Sequence, residues 1–168
     1  MNDKDVLNEY NTATMELLRL ISSLTEKQLN KKTKERGWTV AQVGEHLKKS
    51  YEVSGVLNGK VKDIQRSPYE KLSEIQRLFL NFDIKMNSPK EIIPTEEFIN
   101  KEILLTELKN KIQWVNDFSK KTDLSKLCLD FEIPEYGPFT RIEWIGFNTA
   151  HTQRHIYQVK QIIRNIKL

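Results

Sequence analysis

The fold of this protein is decided by PEYGPFTRIEWIGFNTAHTQRHIYQVKQI, residues 134–162. Within it, Thr140 is followed three residues later by Glu143, the pattern of a capping box at the start of a helix. In this motif the threonine oxygen accepts a hydrogen bond from the third amide of the helix, and the glutamate accepts one from the threonine amide. Phe139, just before the cap, can pack on the first turn. The pattern therefore predicts a helix that begins at Arg141.

One face of this helix mixes apolar and polar residues. The face is spaced alternately by three and four residues and consists of Ile145, Asn148, Thr152, His155, Val159, Ile162 and Ile166. At about 26 residues, or roughly 39 Å, the helix is the longest one predicted. A bundle core that is polar over two turns loses hydrophobic burial, and each polar group needs a partner. A bound metal ion is the simplest compensation.

A second capping box lies in GWTVAQVGEHL, residues 37–47. Thr39 is followed three residues later by Gln42, which predicts a helix that begins at Val40. His46 falls at the inner edge of this helix. The two helices that carry the histidines therefore both begin at well-defined caps, and their side chains are expected on rigid elements.

Hydrophobic periodicity predicts two further long helices and a long crossover. The expected segments are a first helix over residues 5–24, a second helix that ends near Asn58 and Gly59, a short amphipathic helix over residues 68–82, and a third long helix over residues 101–120. Pro89 and Pro94 break regular structure within the crossover. We expect an all-α four-helix bundle with a long crossover between helices 2 and 3 that carries a short accessory helix, and a single domain over residues 1–168.

Composition narrows the class of protein. The chain has 168 residues, 38% of them hydrophobic and 30% charged, with a net charge of +4. The densest basic run, Lys31, Lys32, Lys34 and Arg36, is interrupted by an acidic residue and lacks interleaved aromatics, so it indicates a solvated loop rather than a nucleic-acid surface. One cysteine allows no internal disulfide, and the sequence shows neither a signal peptide nor a membrane-spanning run. A cytoplasmic protein without nucleic-acid or membrane partners is expected.

The three histidines of the chain are the candidate metal ligands. His151 and His155 are four residues apart, so they lie one turn apart on one face, the spacing that lets two imidazoles bind one ion. The alternative for each histidine, and for His46 in particular, is an ordinary hydrogen-bonded core residue. Three neutral imidazoles leave a divalent ion with an open position, as in catalytic rather than closed structural zinc sites. Imidazoles suit zinc, nickel, copper and iron alike, so these residues do not choose the metal.

Other reactive residues are assigned structural roles. Cys128 has apolar neighbours and no nearby base, which predicts a buried and inert thiol. Glu143 is expected to act in the capping box rather than as a general base. Arg154 is expected to face solvent, Tyr157 is a candidate cavity or interface residue, and Gln158 lies three residues after His155.

The two quoted segments resemble a known family. Residues 37–47 are similar to the second-helix motif of the DinB-like family, also called the damage-inducible or YfiT-like metalloproteins. Residues 134–162 are similar to its last-helix motif, where a His-x-x-x-His follows a Glu-Trp near the helix start. The resemblance implies a four-helix bundle with a divalent metal, most often zinc or nickel, held by His46, His151 and His155.

The resemblance also implies three readings of function. Some relatives are transferases or isomerases that depend on low-molecular-weight thiols. Others are called hydrolases, and many have no known activity. We expect a metal-dependent enzyme that transfers a small thiol to an electrophilic small molecule, with a metal-dependent hydrolase or a non-catalytic metal-binding or stress-response module as alternatives. The family is often dimeric, so a homodimer is expected. The substrate pocket is expected between the long crossover and the turn at residues 134–138.

Overall fold

The structure is a computed structural model that describes residues 1–33 and 37–167. Lys34 and Arg36 of the predicted basic loop lie outside the described residues, while Lys31 and Lys32 are exposed. The elements are helices α1 (Asp3–Ser22), α2 (Glu26–Leu29), α3 (Val40–Ser50), α4 (Ser54–Leu57), α5 (Leu72–Phe79), α6 (Lys101–Ser119) and α7 (Arg141–Lys167), a 3-10 turn (Lys90–Ile92), and strands β1 (Val61–Lys62) and β2 (Leu127–Cys128). None of these helices has the length and apolar character that crossing a bilayer requires.

Helices α1, α3, α6 and α7 form the predicted four-helix bundle. Helix α7 packs along α1 and against α3, and α6 packs against α3 and α1. The order round the bundle is therefore α1, α7, α3, α6, so α1 and α3, which follow each other in the bundle, lie across a diagonal. A bundle that alternated up and down would place such helices side by side. The long crossover runs from α3 to α6 and carries α5, which packs on α7.

Both predicted capping boxes are present. The Gln42 amide donates to Thr39 Oγ1 at 3.1 Å, and the Thr39 amide donates to Gln42 Oε1 at 3.0 Å. At α7 the Glu143 amide donates to Thr140 Oγ1 at 3.2 Å, and the Thr140 amide donates to Glu143 Oε2 at 2.9 Å. The predicted helix starts at Val40 and Arg141 are thereby confirmed to the residue.

Helix α1 begins two residues earlier than expected. Asn2 and Asp5 form a further capping box, in which the Asp5 amide donates to Asn2 Oδ1 at 3.1 Å and the Asn2 amide donates to Asp5 Oδ2 at 3.0 Å. Because Asn2 caps the helix, its first turn begins at Asp3 rather than at Asp5.

The predicted end of the second helix was wrong. Helix α3 stops at Ser50, and the separate one-turn helix α4 ends at Leu57, just before Asn58. Tyr51 and Val53 are both buried, at 2% and 5% exposure. Residues two apart point about 200° apart on a helix. The chain therefore leaves the helix at Tyr51, which lets both side chains reach the core.

The accessory helix is shorter than the predicted segment 68–82. Its end at Phe79 is fixed by Arg154, whose guanidinium donates to the carbonyls of Phe79 at 3.1 Å, of Asn81 at 2.9 Å and of Ile84. The expectation that Arg154 faces solvent was wrong, because the unpaired carbonyls at the end of α5 attract a cation.

The start of α7 is fastened to the crossover through Glu143. This carboxylate has no exposed surface and accepts two hydrogen bonds from the Arg66 guanidinium, at 2.7 and 2.8 Å. It also accepts the amide of Lys71 at 3.0 Å. Glu143 is therefore the capping residue that the sequence predicts and, in addition, the partner of a half-buried cation. The pair orients the helix that carries two of the three histidines.

Removing the cation should destabilise the fold strongly. In Arg66→Met the buried carboxylate of Glu143 loses its charged partner, and breaking a buried pair costs about 3–5 kcal/mol. We expect the free energy of unfolding, measured by urea titration and circular dichroism, to fall by that order.

The matched control is Arg19→Met. Arg19 pairs with Glu16 at 2.7 Å on the exposed face of α1. An exposed pair contributes about 0–1 kcal/mol. Equal losses in the two variants would contradict a special role for the Arg66–Glu143 pair.

Candidate metal centre

The three histidines converge on one point between α3 and α7. His151 Nε2 lies 3.0 Å from His46 Nε2 and 3.0 Å from His155 Nε2. The three nitrogens that could bind a metal all lie within 4.8 Å of one another. That the three histidines bind a metal remains a prediction. The protonation and spacing of their nitrogens show whether the arrangement suits a metal ion.

The protons of two of these rings are fixed by acceptors behind them. His46 Nδ1 lies 2.9 Å from the carbonyl oxygen of Ile92, and His155 Nδ1 lies 2.7 Å from Gln158 Oε1. An oxygen of this kind only accepts, so each Nδ1 carries the proton and donates it. In a neutral ring the Nε2 atom is then an unprotonated lone pair. Two lone pairs therefore face His151 Nε2.

This arrangement fits a divalent cation. One neutral His151 can donate a single proton to only one of the two facing lone pairs, and the other lone pair stays unsatisfied. An ion between the rings satisfies all three. Two nitrogens on a tetrahedral zinc ion lie about 3.3 Å apart, given bonds of about 2.0–2.1 Å, close to the 3.0 Å separations observed. Metal-binding imidazoles usually donate their other N–H to an oxygen, as His46 does to the Ile92 carbonyl and His155 to the Gln158 amide.

Aromatic side chains enclose the histidines. The ring of Trp38 lies 4.9 Å from that of His46, between centroids. Phe79 from α5 and Phe147 from α7 lie 5.8 and 5.7 Å from the His151 ring. These walls leave His46 and His151 buried, at 1% and 7% exposure, while His155 is only partly buried. Access from solvent is therefore on the His155 side.

Burial keeps the imidazoles neutral. Desolvation lowers the pKa of His46, and it lowers the pKa of His151 well below its ordinary value. The pKa of His155 falls to about 4, mainly through burial and then through the charge of His46. Neutral imidazole is the form that binds a metal.

The other predicted candidates lie away from the cluster. Cys128 is buried, and burial raises the pKa of its thiol to about 11, as expected for an inert cysteine. Tyr157 is exposed and stacks on Phe82 at 4.2 Å. Among the described residues no cysteine, aspartate or glutamate joins the histidines as a further metal ligand.

Of the two segments expected to border the substrate pocket, only the crossover lies against the histidines. The crossover reaches the cluster through Ile92 and Phe79. The turn at residues 134–138 instead binds Lys71, whose ammonium donates to the carbonyls of Tyr136 and Pro138. Surface depressions of about 260 and 190 Å³ lie at α6 and at the start of α3, and no histidine lines either of them.

The whole sequence was compared with models of known protein families. The model of the DinB superfamily matches residues 9–159. The chain belongs to the DinB superfamily. The resemblance drawn from residues 37–47 and 134–162 is thereby confirmed.

Individual relatives agree with this assignment. YuaE of Bacillus subtilis (strain 168), an uncharacterized protein, is 26% identical over 168 residues, covering 94% of this chain and 97% of YuaE. The solved structure of YfiT from Bacillus subtilis aligns with 98% of this chain and 87% of YfiT, at a TM-score of 0.58 and 19% identity. YfiT is described as a probable metal-dependent hydrolase with an unusual four-helix bundle topology. At this identity the likeness establishes the fold of the DinB-superfamily chain.

Sequence reasoning did not assign the groups behind the ligands. The sequence pattern assigns no role to Gln158. Its spacing of three from His155 is the signal that identifies it as a hydrogen-bond partner of that ring. The capping pattern of residues 37–47 does not indicate that Trp38 covers His46, with ring centroids 4.9 Å apart. The carbonyl of Ile92 carries no sequence signal, because any residue supplies one.

Metal ions should stabilise the folded protein. A ligand that binds only the folded state stabilises it by about 2.7 kcal/mol at a concentration of 100 times Kd. We therefore expect Zn²⁺ or Ni²⁺ to raise Tm in a thermal melt, and a chelator to reverse the change. In His46→Ala the response should disappear while the helical circular dichroism remains, because the rest of α3 still packs. Arg164→Ala, an exposed change on α7, is the control and should respond like wild type.

The metal-free protein should lose stability on acidification. A histidine in the unfolded chain takes up a proton near pH 6.5, whereas folded His155 resists protonation until about pH 4. Between these values the unfolded state binds more protons, so the free energy of unfolding falls by roughly 1.4 kcal/mol per pH unit for each such histidine. Urea titrations from pH 7.5 to 4.5 measure it. A slope unchanged in His155→Ala would contradict the assignment.

Proposed function

We propose that this protein is a divalent-metal-dependent enzyme that activates a small nucleophile for attack on an electrophilic small molecule. The observation that carries the proposal is the convergence of three neutral Nε2 atoms, two of them fixed as lone pairs by Ile92 and Gln158. His46, His151 and His155 would hold the ion. Bound there, a divalent ion supplies Lewis acidity, lowering the pKa of water or a thiol at its open position.

The protein's own residues would prepare the site in two ways. The carbonyl of Ile92 and the amide of Gln158 hold two rings in the orientation and tautomer that binding needs. Trp38, Phe79 and Phe147 exclude bulk water from two sides, which strengthens electrostatic interactions at the centre. All three ligands are neutral, so the full charge of the ion acts on the nucleophile.

Hydrolysis, with water as the nucleophile, is the reading that the packing supports best. His46 and His151 are buried, and neither of the two surface depressions described above reaches the histidines. Water needs no pocket of its own beside the ion. The description of YfiT as a probable metal-dependent hydrolase supports the same reading. The electrophile would approach from the partly exposed side of His155.

Transfer of a low-molecular-weight thiol is the second reading, and the ligand chemistry favours it. Among the described residues no carboxylate joins the histidine cluster to act as general base. A thiol that binds a divalent ion loses its proton without such a base. A non-catalytic metal-binding module is the remaining alternative.

A kinetic comparison tests the proposal. Purified protein loaded with Zn²⁺ or Ni²⁺ is given activated esters in water alone, and generic alkylating electrophiles with each of several small cellular thiols. We expect turnover in one of the two series, and in His155→Ala a loss larger than the roughly 10–100-fold that removing even a group behind a ligand costs. Arg164→Ala, remote from the cluster, is the matched control.

The outcomes separate the readings. Turnover of esters without thiol supports the hydrolase, and turnover that requires one thiol supports the transferase. Rates equal in wild type and His155→Ala across both series would reject both enzymatic readings and leave the binding module.

A further inference from the structure

The His151 ring lacks the hydrogen-bond acceptor at Nδ1 that the His46 and His155 rings have. Nδ1 of His46 and of His155 each donate to an amide-type oxygen. Nδ1 of His151 is buried and has no hydrogen-bond partner. When its Nε2 faces an ion, this ring carries its proton on Nδ1, so a buried donor is left unsatisfied. An unsatisfied buried donor costs the full free energy of removing that group from water.

A matching acceptor lies one turn away on the same helix. Asn148 Oδ1 is also buried and has no partner, and the residue is 1% exposed. Asn148 precedes His151 by three residues on α7, the spacing at which side chains on a helix meet. The terminal torsion of asparagine has a broad energy profile, so the amide can reorient at small cost. One hydrogen bond would satisfy both orphaned groups.

We propose that Asn148 is a positioning residue for the metal centre, whose Oδ1 accepts the Nδ1 proton of His151. The inference rests on the proposed metal site and adds the group that orients its most buried ligand. With it, all three imidazoles are backed by neutral amide oxygens, from Ile92, Gln158 and Asn148. A neutral outer set orients the rings without adding negative charge, so the ion keeps its full Lewis acidity.

Tyr10 is tested as a competing partner for Asn148, because it carries another buried group without a hydrogen-bond partner. This group is its hydroxyl, on α1, which packs along α7. The variant Tyr10→Phe therefore separates a role of Asn148 toward His151 from a role toward α1.

Metal affinity is the first test. Zn²⁺ affinity is measured by competition with a chromophoric chelator on the full chain. Loss of a group behind a ligand histidine weakens metal binding by about 10–100-fold. We expect this loss in Asn148→Ala and in Gln158→Ala. Asn148→Asp keeps an acceptor oxygen at the same place and should bind at least as tightly as wild type.

Two controls identify a merely structural effect. Thr149→Ala removes a buried hydroxyl next to Asn148 that donates to the Ile145 carbonyl at 2.9 Å, and it should leave the affinity unchanged. Tyr10→Phe should do the same. An affinity in Asn148→Ala equal to that of Thr149→Ala, or a loss reproduced by Tyr10→Phe, overturns the proposal.

The second test needs no metal. In metal-free protein, imidazole nitrogen chemical shifts report which nitrogen of His151 carries the proton. We expect a larger population of the Nδ1–H tautomer in wild type than in Asn148→Ala, where Nε2–H, which can donate to His46 or His155 at 3.0 Å, should gain. An unchanged tautomer overturns the proposal. Wild type that binds no Zn²⁺ would instead reject the proposed function, and the tautomer would still decide the role of Asn148.

Discussion

A neutral imidazole has one proton for two nitrogens, and this limit governs the centre of the molecule. Because Ile92 and Gln158 accept the protons of two rings, those rings turn their lone pairs toward His151. Hydrogen bonds among the three nitrogens cannot satisfy both lone pairs, whereas the proposed cation would satisfy all three nitrogens. The bundle must hold α3 and α7 in one rotational setting for this to arise, since a small rotation of either helix would separate the rings. The buried faces of the two helices, together with the Arg66–Glu143 pair at the start of α7, hold that setting.

The crossover is as much a part of the site as the helices. Residues 92–95 run along α3 and are held by its side chains: Gln42 donates to the Thr95 carbonyl at 2.9 Å, Glu45 accepts the Thr95 amide, and Lys49 donates to the Ile93 carbonyl at 2.6 Å. These side chains recur at the spacing of one helix face, which is also the face of His46. The segment that supplies the acceptor for His46 is therefore aligned by three neighbours of His46. A long loop can orient a ligand only when it is fixed in this way.

Contacts between residues close in the sequence could be predicted, whereas contacts between residues far apart in the sequence could not. The starts at Val40 and Arg141 were predictable because both partners of a capping box lie three residues apart. The four long helices, and the inward face of the last one, followed from periodicity. The Ile92 carbonyl, 46 residues from His46, and Arg66, 77 residues from Glu143, were not predictable, since such pairings depend on the completed topology. Arg154 was misplaced for the same reason: its partners are carbonyls that become available only where the crossover returns to α7.

The site is held by interactions that do not involve an ion. Caps fix α3 and α7, the Arg66–Glu143 pair fastens the start of α7, and Arg154 anchors the chain beyond α5 beside Phe79. In a zinc finger the metal supplies the folding energy, because the apo chain has no core of its own. Here a hydrophobic core built from all four bundle helices exists without it. The binding energy of an ion is therefore not consumed in folding the chain. If the three neutral imidazoles hold an ion as proposed, their arrangement before binding favours a role for that ion in chemistry rather than in holding the fold together.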